Sequence, residues 1–174
     1  MIKVFAKERH VKKIRHFLNS LNLDNEINTI DSIPSDKPFV LGMSYGFDKK
    51  ITKDLLSKPK QGFVNYHPAP LPEYRGKFAM CDAIKNQVSR WGVTVHYMDE
   101  EYDTGDIIKV KYFELHEPPK STDEMMALSH YFMFELFKET ILDIYNGNVS
   151  ATPQAKFTSE LWFCIESIFS YEKT

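Results

Sequence analysis

The sequence predicts an α/β domain: a mostly parallel sheet flanked by helices. Short apolar, β-favouring runs alternate with stretches whose apolar residues recur at helical spacing. That strand–helix–strand rhythm is what parallel strands joined by crossover helices require. The polar residues that stand out lie just after strands, and in open α/β sheets ligands sit at the carboxyl ends of strands. At 174 residues the chain is long enough for one domain with a workable core.

Ile2 to Ala6 alternates and reads as the first strand. Val11, Ile14, Phe17, Leu18 and Leu21 then recur on one face of a helix that opens near Arg9. Lys7, Arg9, His10, Lys12 and Lys13 cluster at that opening. They read either as a solvated basic face or as a place where a phosphate docks, since free N–H groups at a helix start attract anions. Asn25 to Ile30 forms a short second strand, and Pro34 and Pro38 mark a loop. Phe39 to Met43 is a buried strand running into Ser44-Tyr45-Gly46-Phe47, and Ile51 to Leu56 suggests a helix.

The stretch Gly62 to Gly76, GFVNYHPAPLPEYRG, opens with the end of a buried strand at Phe63-Val64. Pro68, Pro70 and Pro72 fix φ and forbid helix, so a stiff extended loop is expected after His67. Phe78 to Val88 reads as a helix with Ala79, Ala83 and Ile84 inward and Cys81 in the core. Trp91 to Met98 alternates as a strand, Asp99 to Asp106 is an acidic loop, and Ile107 to Leu115 is another strand. Ser121 and Glu124 form the capping box of a helix running toward Tyr145, with Met125, Leu128, Phe132, Leu136 and Ile144 facing the core and Gly147 ending it. The rhythm is of Rossmann type, yet no GxGxxG occurs, so a dinucleotide fingerprint is absent. These elements assign residues 1–150 to one domain. Residues 151–174 carry Phe157, Trp162, Phe163, Phe169 and Tyr171, too short a segment to be a domain. Such a tail exposes much apolar surface unless it folds back or meets a second subunit, and a homodimer through it is expected.

The formal net charge of −2 offers no global attraction to nucleic acid, so any anion site is local. Cys81 and Cys164 have no metal-type spacing, which suits reduced thiols in a cytoplasmic protein. The N-terminus turns charged too soon for a signal peptide, and no apolar run approaches the roughly 20 residues of a membrane helix. No nucleic-acid or membrane partner is expected.

Asn65 and His67 stand two apart, so on an extended backbone they project to one face. Asp103 follows 36 positions after His67, and an intervening helix and strand are expected to return it to the same end of the sheet. Together these residues supply a neutral hydrogen-bond donor, a proton acceptor near neutral pH and a carboxylate, a set suited to acyl transfer. A strand-end histidine such as His67 is also a common structural residue, and His96, on a strand beside the site, reads as a buried structural histidine. A metal held by His67, His96, Asp99 and Asp103 is conceivable from residue types, but a second close-spaced histidine ligand is missing and no metal is expected.

NYHPAPLPEYRG followed by GVTVHYMDEEYDTGDII resembles the formyltransferase family that uses 10-formyltetrahydrofolate. That family carries Asn-x-His-Pro-x-x-Leu-Pro-x-Tyr-x-Gly, then Gly-Val-Thr-x-His with Asp-x-Gly-x-Ile. The likeness covers roughly Phe39 to Gln154 and includes the Pro153-Gln154 pair. It implies the formyltransferase fold, with an N-terminal half shorter than in most relatives, and 10-formyltetrahydrofolate as co-substrate. Asn65, His67 and Asp103 match the catalytic trio. Tyr45, Gly46 and Phe47 match one wall of the pterin pocket, and Asp99, Tyr102 and Asp103 match the other. A short catalytic core with an aromatic tail resembles sugar N-formyltransferases of bacterial surface-polysaccharide (O-antigen) pathways, which act on nucleotide-linked amino sugars. On that resemblance Lys7, Arg9 and His10 would face the pyrophosphate, with Tyr74, Arg75 and Lys77 near the sugar. No counterpart is seen of the C-terminal domain with which methionyl-tRNA formyltransferases grip tRNA. Glycinamide ribonucleotide, a carrier-bound aminoacyl group, hydrolysis of the co-substrate and a non-catalytic sensor are the competing readings.

Overall fold

The computed structural model describes residues 1–32 and 34–154; the aromatic tail invoked for dimerisation lies, from residue 155 on, outside the described residues. Ten elements follow in order: β1 (Ile2–Ala6), α1 (Glu8–Ser20), β2 (Asn25–Asn28), β3 (Leu41–Tyr45), α2 (Lys53–Leu56), β4 (Phe63–His67), α3 (Ala79–Lys85), β5 (Arg90–Tyr97), β6 (Ile107–Glu114) and α4 (Thr122–Asn146). The strands form one sheet in the order β2-β1-β3-β4-β5-β6. β1 to β4 pair in parallel, β5 runs against β4, and β6 runs against β5, so every strand except β5 points the same way. The α/β, mostly parallel reading holds. Among the described residues no helix lies between β2 and β3, in keeping with a shortened N-terminal half.

Alternation along the strands builds two layers. Val4, Met43, Tyr45, Val64, Tyr66, Val93 and Val95 join Ile14 and Leu18 of α1 and Leu136, Phe137 and Ile141 of α4 in the main core. On the opposite face Phe5, Phe39, Ile51 and Phe63 form a smaller aromatic cluster. Lys3 is buried on that same side. Its ammonium lies 3.9 Å from Glu26 and 4.7 Å from the ring centre of Phe39, the pairing a buried charge requires. In α4 the Ser121 hydroxyl accepts from the Glu124 N–H, the Glu124 carboxylate accepts from the Lys120 N–H, and Gly147 closes the helix at φ +74°.

Two side-chain placements and the course of one loop differ from expectation. Cys81 is exposed, because α3 buries Ala79, Met80 and Ala83 and position 81 falls on the other side of the turn. Leu128 is exposed as well, since α4 buries the stripe through Met125, Ser129, Met133 and Leu136. The proline segment is folded rather than extended: the Tyr74 N–H donates to Pro70 O, and the turn is pinned to β5. Prolines remove N–H donors but leave carbonyls free to accept. Pro68 O accepts from Trp91 Nε1, Ala69 O accepts from the Thr94 hydroxyl, and the Leu71 N–H donates back to that hydroxyl.

Candidate active site

β4 places Asn65 and His67 on one face, and the ladder to β5 sets His96 opposite Asn65 and Thr94 opposite His67. Asp103 arrives by a different route from the one the sequence suggests. Because β5 runs against β4, Tyr97 pairs with Val64, and the β5–β6 connection leaves beside the start of β4. The connection then folds back, with Asp103 in the left-handed region at φ +57°, and brings its carboxylate to both imidazoles. Asp103 Oδ1 lies 3.5 Å from His67 Nδ1, 3.6 Å from His96 Nε2 and 3.4 Å from Asn65 Nδ2. Its Oδ2 accepts from the Gly76 N–H at 3.0 Å.

Partner chemistry orients each group. His67 Nε2 lies 2.9 Å from the Tyr74 carbonyl, which can only accept, so Nε2 carries a hydrogen and Nδ1 is the basic nitrogen facing Asp103. His96 Nδ1 likewise donates to Tyr97 O at 2.6 Å, leaving Nε2 to accept from Asn65 Nδ2 at 3.2 Å. Both N–H groups of Asn65 are thus aimed at His96 and Asp103, the second through the longer contact. Burial lowers the pKa of His67 despite the nearby carboxylate, so the ring is unprotonated at neutral pH. Burial alone would raise the Asp103 carboxyl, but the contact with the His96 ring, His67 as it becomes protonated on the acid side, and the Gly76 N–H hold it at about 2. The site therefore rests as a neutral base beside a fixed anion.

These groups border a cavity of about 560 Å³. Gly46, Phe47, Ile51, Met98, Asp99 and Tyr102 line it, together with Lys7, Arg9, Lys77, Met80, Met126 and His130. The structure thus gathers Asn65, His67, Asp103, Gly46, Phe47, Asp99, Tyr102, Lys7, Arg9 and Lys77 on one surface. Four residues assigned from sequence fall outside it. Tyr45 alternates with Ser44 and Gly46, so its ring turns into the core against Tyr66 and Phe137. His10 is buried between Tyr45 and His130. The Tyr74 ring packs on Trp91, and only its backbone serves the site. Arg75 reaches away to Gln154. His96, read as structural, lines the cavity; its place opposite Asn65 comes from strand register, which the linear sequence does not display. His130 lies 63 positions beyond His67, and no local motif marks it. Among the described residues no group of three or more His, Cys, Asp or Glu is arranged to hold a metal ion, and no helix is long and apolar enough to cross a membrane.

Arg9 donates through Nε to His10 Nε2 at 3.2 Å and lies 3.0 Å, through Nη2, from His130 Nε2. Burial first, then the neighbouring histidine and cations, lowers His10 to about 3; burial, then Arg9, Lys13 and Lys7, lowers His130 to about 4. Histidines of the unfolded chain titrate near 6.5, so between that value and about 4 the unfolded state binds the extra protons. Stability is present above pH 6.5 and lost as pH falls toward the folded values. The melting temperature is expected to drop from pH 7 to pH 5, and His130→Gln is expected to flatten that slope in thermal melts. An equal slope in the variant would count against the assignment.

The sequence profile of the formyl transferase family matches residues 28–140. The methionyl-tRNA formyltransferase of Listeria monocytogenes is 30% identical over 134 residues, covering 77% of this chain and 41% of that protein. The chain spans well under half the length of the curated relatives it matches. Among solved structures, the formyltransferase PseJ from Anoxybacillus kamchatkensis, in complex with UDP-4,6-dideoxy-4-formamido-L-AltNAc and tetrahydrofolate, is 28% identical with a TM-score of 0.69, covering 91% of this chain and 83% of that one. Phosphoribosylglycinamide formyltransferase from Streptococcus pneumoniae, 22% identical with a TM-score of 0.63 over 83% of this chain and 98% of that one, shares the fold.

Proposed function

This chain belongs to the formyl transferase family, and from that membership we propose that it moves the formyl group of 10-formyltetrahydrofolate to the amine of a nucleotide-linked amino sugar. The observation that carries the reading is the meeting of Asn65, His67 and Asp103 in one cavity lined by both apolar and cationic side chains. Phe47, Ile51 and Met98 offer an apolar wall, and Asp99 and Glu101 a polar edge, where a flat heteroaromatic ring with N–H donors fits. Lys7, Arg9 and Lys77 add cations to the same cavity, with Lys7 paired to Asp48 at 3.0 Å. The hydrogen-bond partners of Arg9 there are two neutral imidazoles, so its charge stays available to a phosphate. The likeness to PseJ supports a sugar nucleotide as the amine that accepts the formyl group.

The residues then divide the work. His67 Nδ1 takes the proton that the attacking amine sheds as its nitrogen bonds to the formyl carbon. Asp103 stabilises the imidazolium so formed. Asn65 turns an N–H from its long 3.4 Å contact with Asp103 toward the formyl oxygen, which becomes the stronger acceptor as it gains charge. The proton held by His67 returns to the departing folate nitrogen, and the products are a formamide and tetrahydrofolate.

The test is tetrahydrofolate release from 10-formyltetrahydrofolate with a panel of nucleotide amino sugars, glycinamide ribonucleotide and methionyl-tRNA. Release with sugar nucleotides alone supports the reading, and release with methionyl-tRNA alone would assign the chain to the activity named for its curated relatives. Release without any amine would mark a hydrolase, and tight folate binding without release a sensor. We also place a homodimer contact in residues 151–174, within a cytoplasmic enzyme. Light scattering of the full chain at micromolar concentration is expected to give twice the monomer mass, and a monomer would refute it.

A further inference from the structure

Gln154 follows the last core helix, far in sequence from Asn65, His67 and Asp103, yet its carboxamide touches the two segments that set their geometry. Nε2 donates to the Asp103 carbonyl at 3.1 Å and to the Gly105 carbonyl at 2.7 Å. Oε1 accepts from Arg75 Nε at 3.1 Å and Nη2 at 2.6 Å. An amide offers two donors and one oxygen with two acceptor sites, and all four are filled, so neither a flip nor a rotation is tolerated. Thr152 adds a bridge to Ile107, fixing the backbone that carries Gln154 beside the start of β6.

The contacts close a ring. His67 Nε2 bonds to Tyr74 O, Arg75 reaches Gln154, Gln154 holds Asp103 O, and the Asp103 carboxylate returns to the Gly76 N–H and to His67 Nδ1. Asp103 needs such a hold. Its φ of +57° lies in the left-handed region that side-chain-bearing residues seldom adopt, and its loop has folded back across the sheet rather than paired in it.

We propose that Gln154 is a positioning residue for formyl transfer, clamping the Asp103 loop to the 74–76 turn so that the carboxylate stays in register with His67. The inference rests on the formyltransferase reading for its effect on rate, but the clamp itself is testable without turnover. Gln154→Leu removes every contact. Gln154→Glu keeps the size and the pairing with Arg75 but sets a carboxylate against two carbonyls, so it isolates the hold on the loop.

Two measurements decide the matter on the full chain. Amide hydrogen exchange by NMR, without ligand, reads the Gly76 N–H bond to Asp103. It is expected to accelerate at least tenfold in both variants while amides of β1 and β3 keep their protection. The second follows 10-formyltetrahydrofolate with the 4-amino UDP-sugar corresponding to the product bound to PseJ. There kcat is expected to fall about 10- to 100-fold, the scale of a 1 Å misplacement. The acid limb of its pH profile should move to lower pH, because Asp103 raises the pKa of His67 and its retreat removes that support. Unchanged Gly76 exchange in both variants overturns the clamp. Faster exchange with unchanged kcat and pH profile overturns the positioning role. If the unaltered protein transfers no formyl group to any amine, the formyltransferase reading fails, and with it the role in catalysis, while the exchange result still decides the clamp.

Discussion

Replacing His67 with alanine is expected to lower formyl transfer by at least ~10²-fold, the usual size for losing a general base placed in the transition state. The expectation follows from the direction in which the ring is turned. With Nε2–H committed to Tyr74 O, the only nitrogen able to take a proton is Nδ1, and it faces Asp103 at 3.5 Å. Burial keeps that nitrogen unprotonated at neutral pH, so base form does not have to be generated before each turnover. Alanine also deletes the hydrogen bond to the proline turn, and a slow alanine variant alone would leave catalysis and loop position entangled. His67→Gln separates them, since its amide can still donate to Tyr74 O but cannot act as a base. Both variants should be slow, with kcat reduced more than the affinity for 10-formyltetrahydrofolate. A glutamine variant within tenfold of the original rate would remove His67 from its role.

What could be read in advance followed the range of the interactions involved. β1 and α4 were legible because their signals are local: an alternating run, a serine–glutamate cap and a terminating glycine each act within a few residues. Asn65 and His67 were legible as a pair because period-2 geometry fixes them on one face. Asp103 was legible as a participant, but its path was not, because the antiparallel pairing of β5 with β4 is a choice between neighbours that no single strand encodes. His96 could be placed beside the site from its motif, but its position opposite Asn65 comes from the same strand register. Tyr45 went wrong by one residue, which in a strand reverses the face. His10 went wrong because a basic cluster at a helix start looks the same whether a given member faces solvent or, as here, packs against Tyr45 and His130. The fold of the proline turn depends on Trp91 and Thr94, more than 20 positions later.

Asp103→Asn is expected to match the His67 loss, at least ~10²-fold in kcat, through charge rather than shape. Asparagine is among the few residues that tolerate a φ of +57°, so the backbone turn can persist. Its side-chain oxygen can still accept from the Gly76 N–H, and the contacts of Gln154 are with main-chain carbonyls that the substitution leaves in place. What disappears is the anion that a protonated His67 would meet. In a buried site an imidazolium without a counter-charge is costly, so the proton transfer that accompanies attack loses its driving force. The same charge carries a second consequence with a defined sign. The folded carboxyl titrates at about 2 against 3.8 for the ordinary value, so it contributes stability above pH 3.8 that is lost as pH falls toward 2. That difference corresponds to about 2 kcal/mol. Relative to Asp103→Asn, the original protein should therefore lose about that much more stability between pH 4 and pH 2 in denaturant titrations. Equal losses would mean that the carboxylate is not held by His96, His67 and Gly76 as the geometry requires, and a variant that kept its turnover would place the charge outside the reaction.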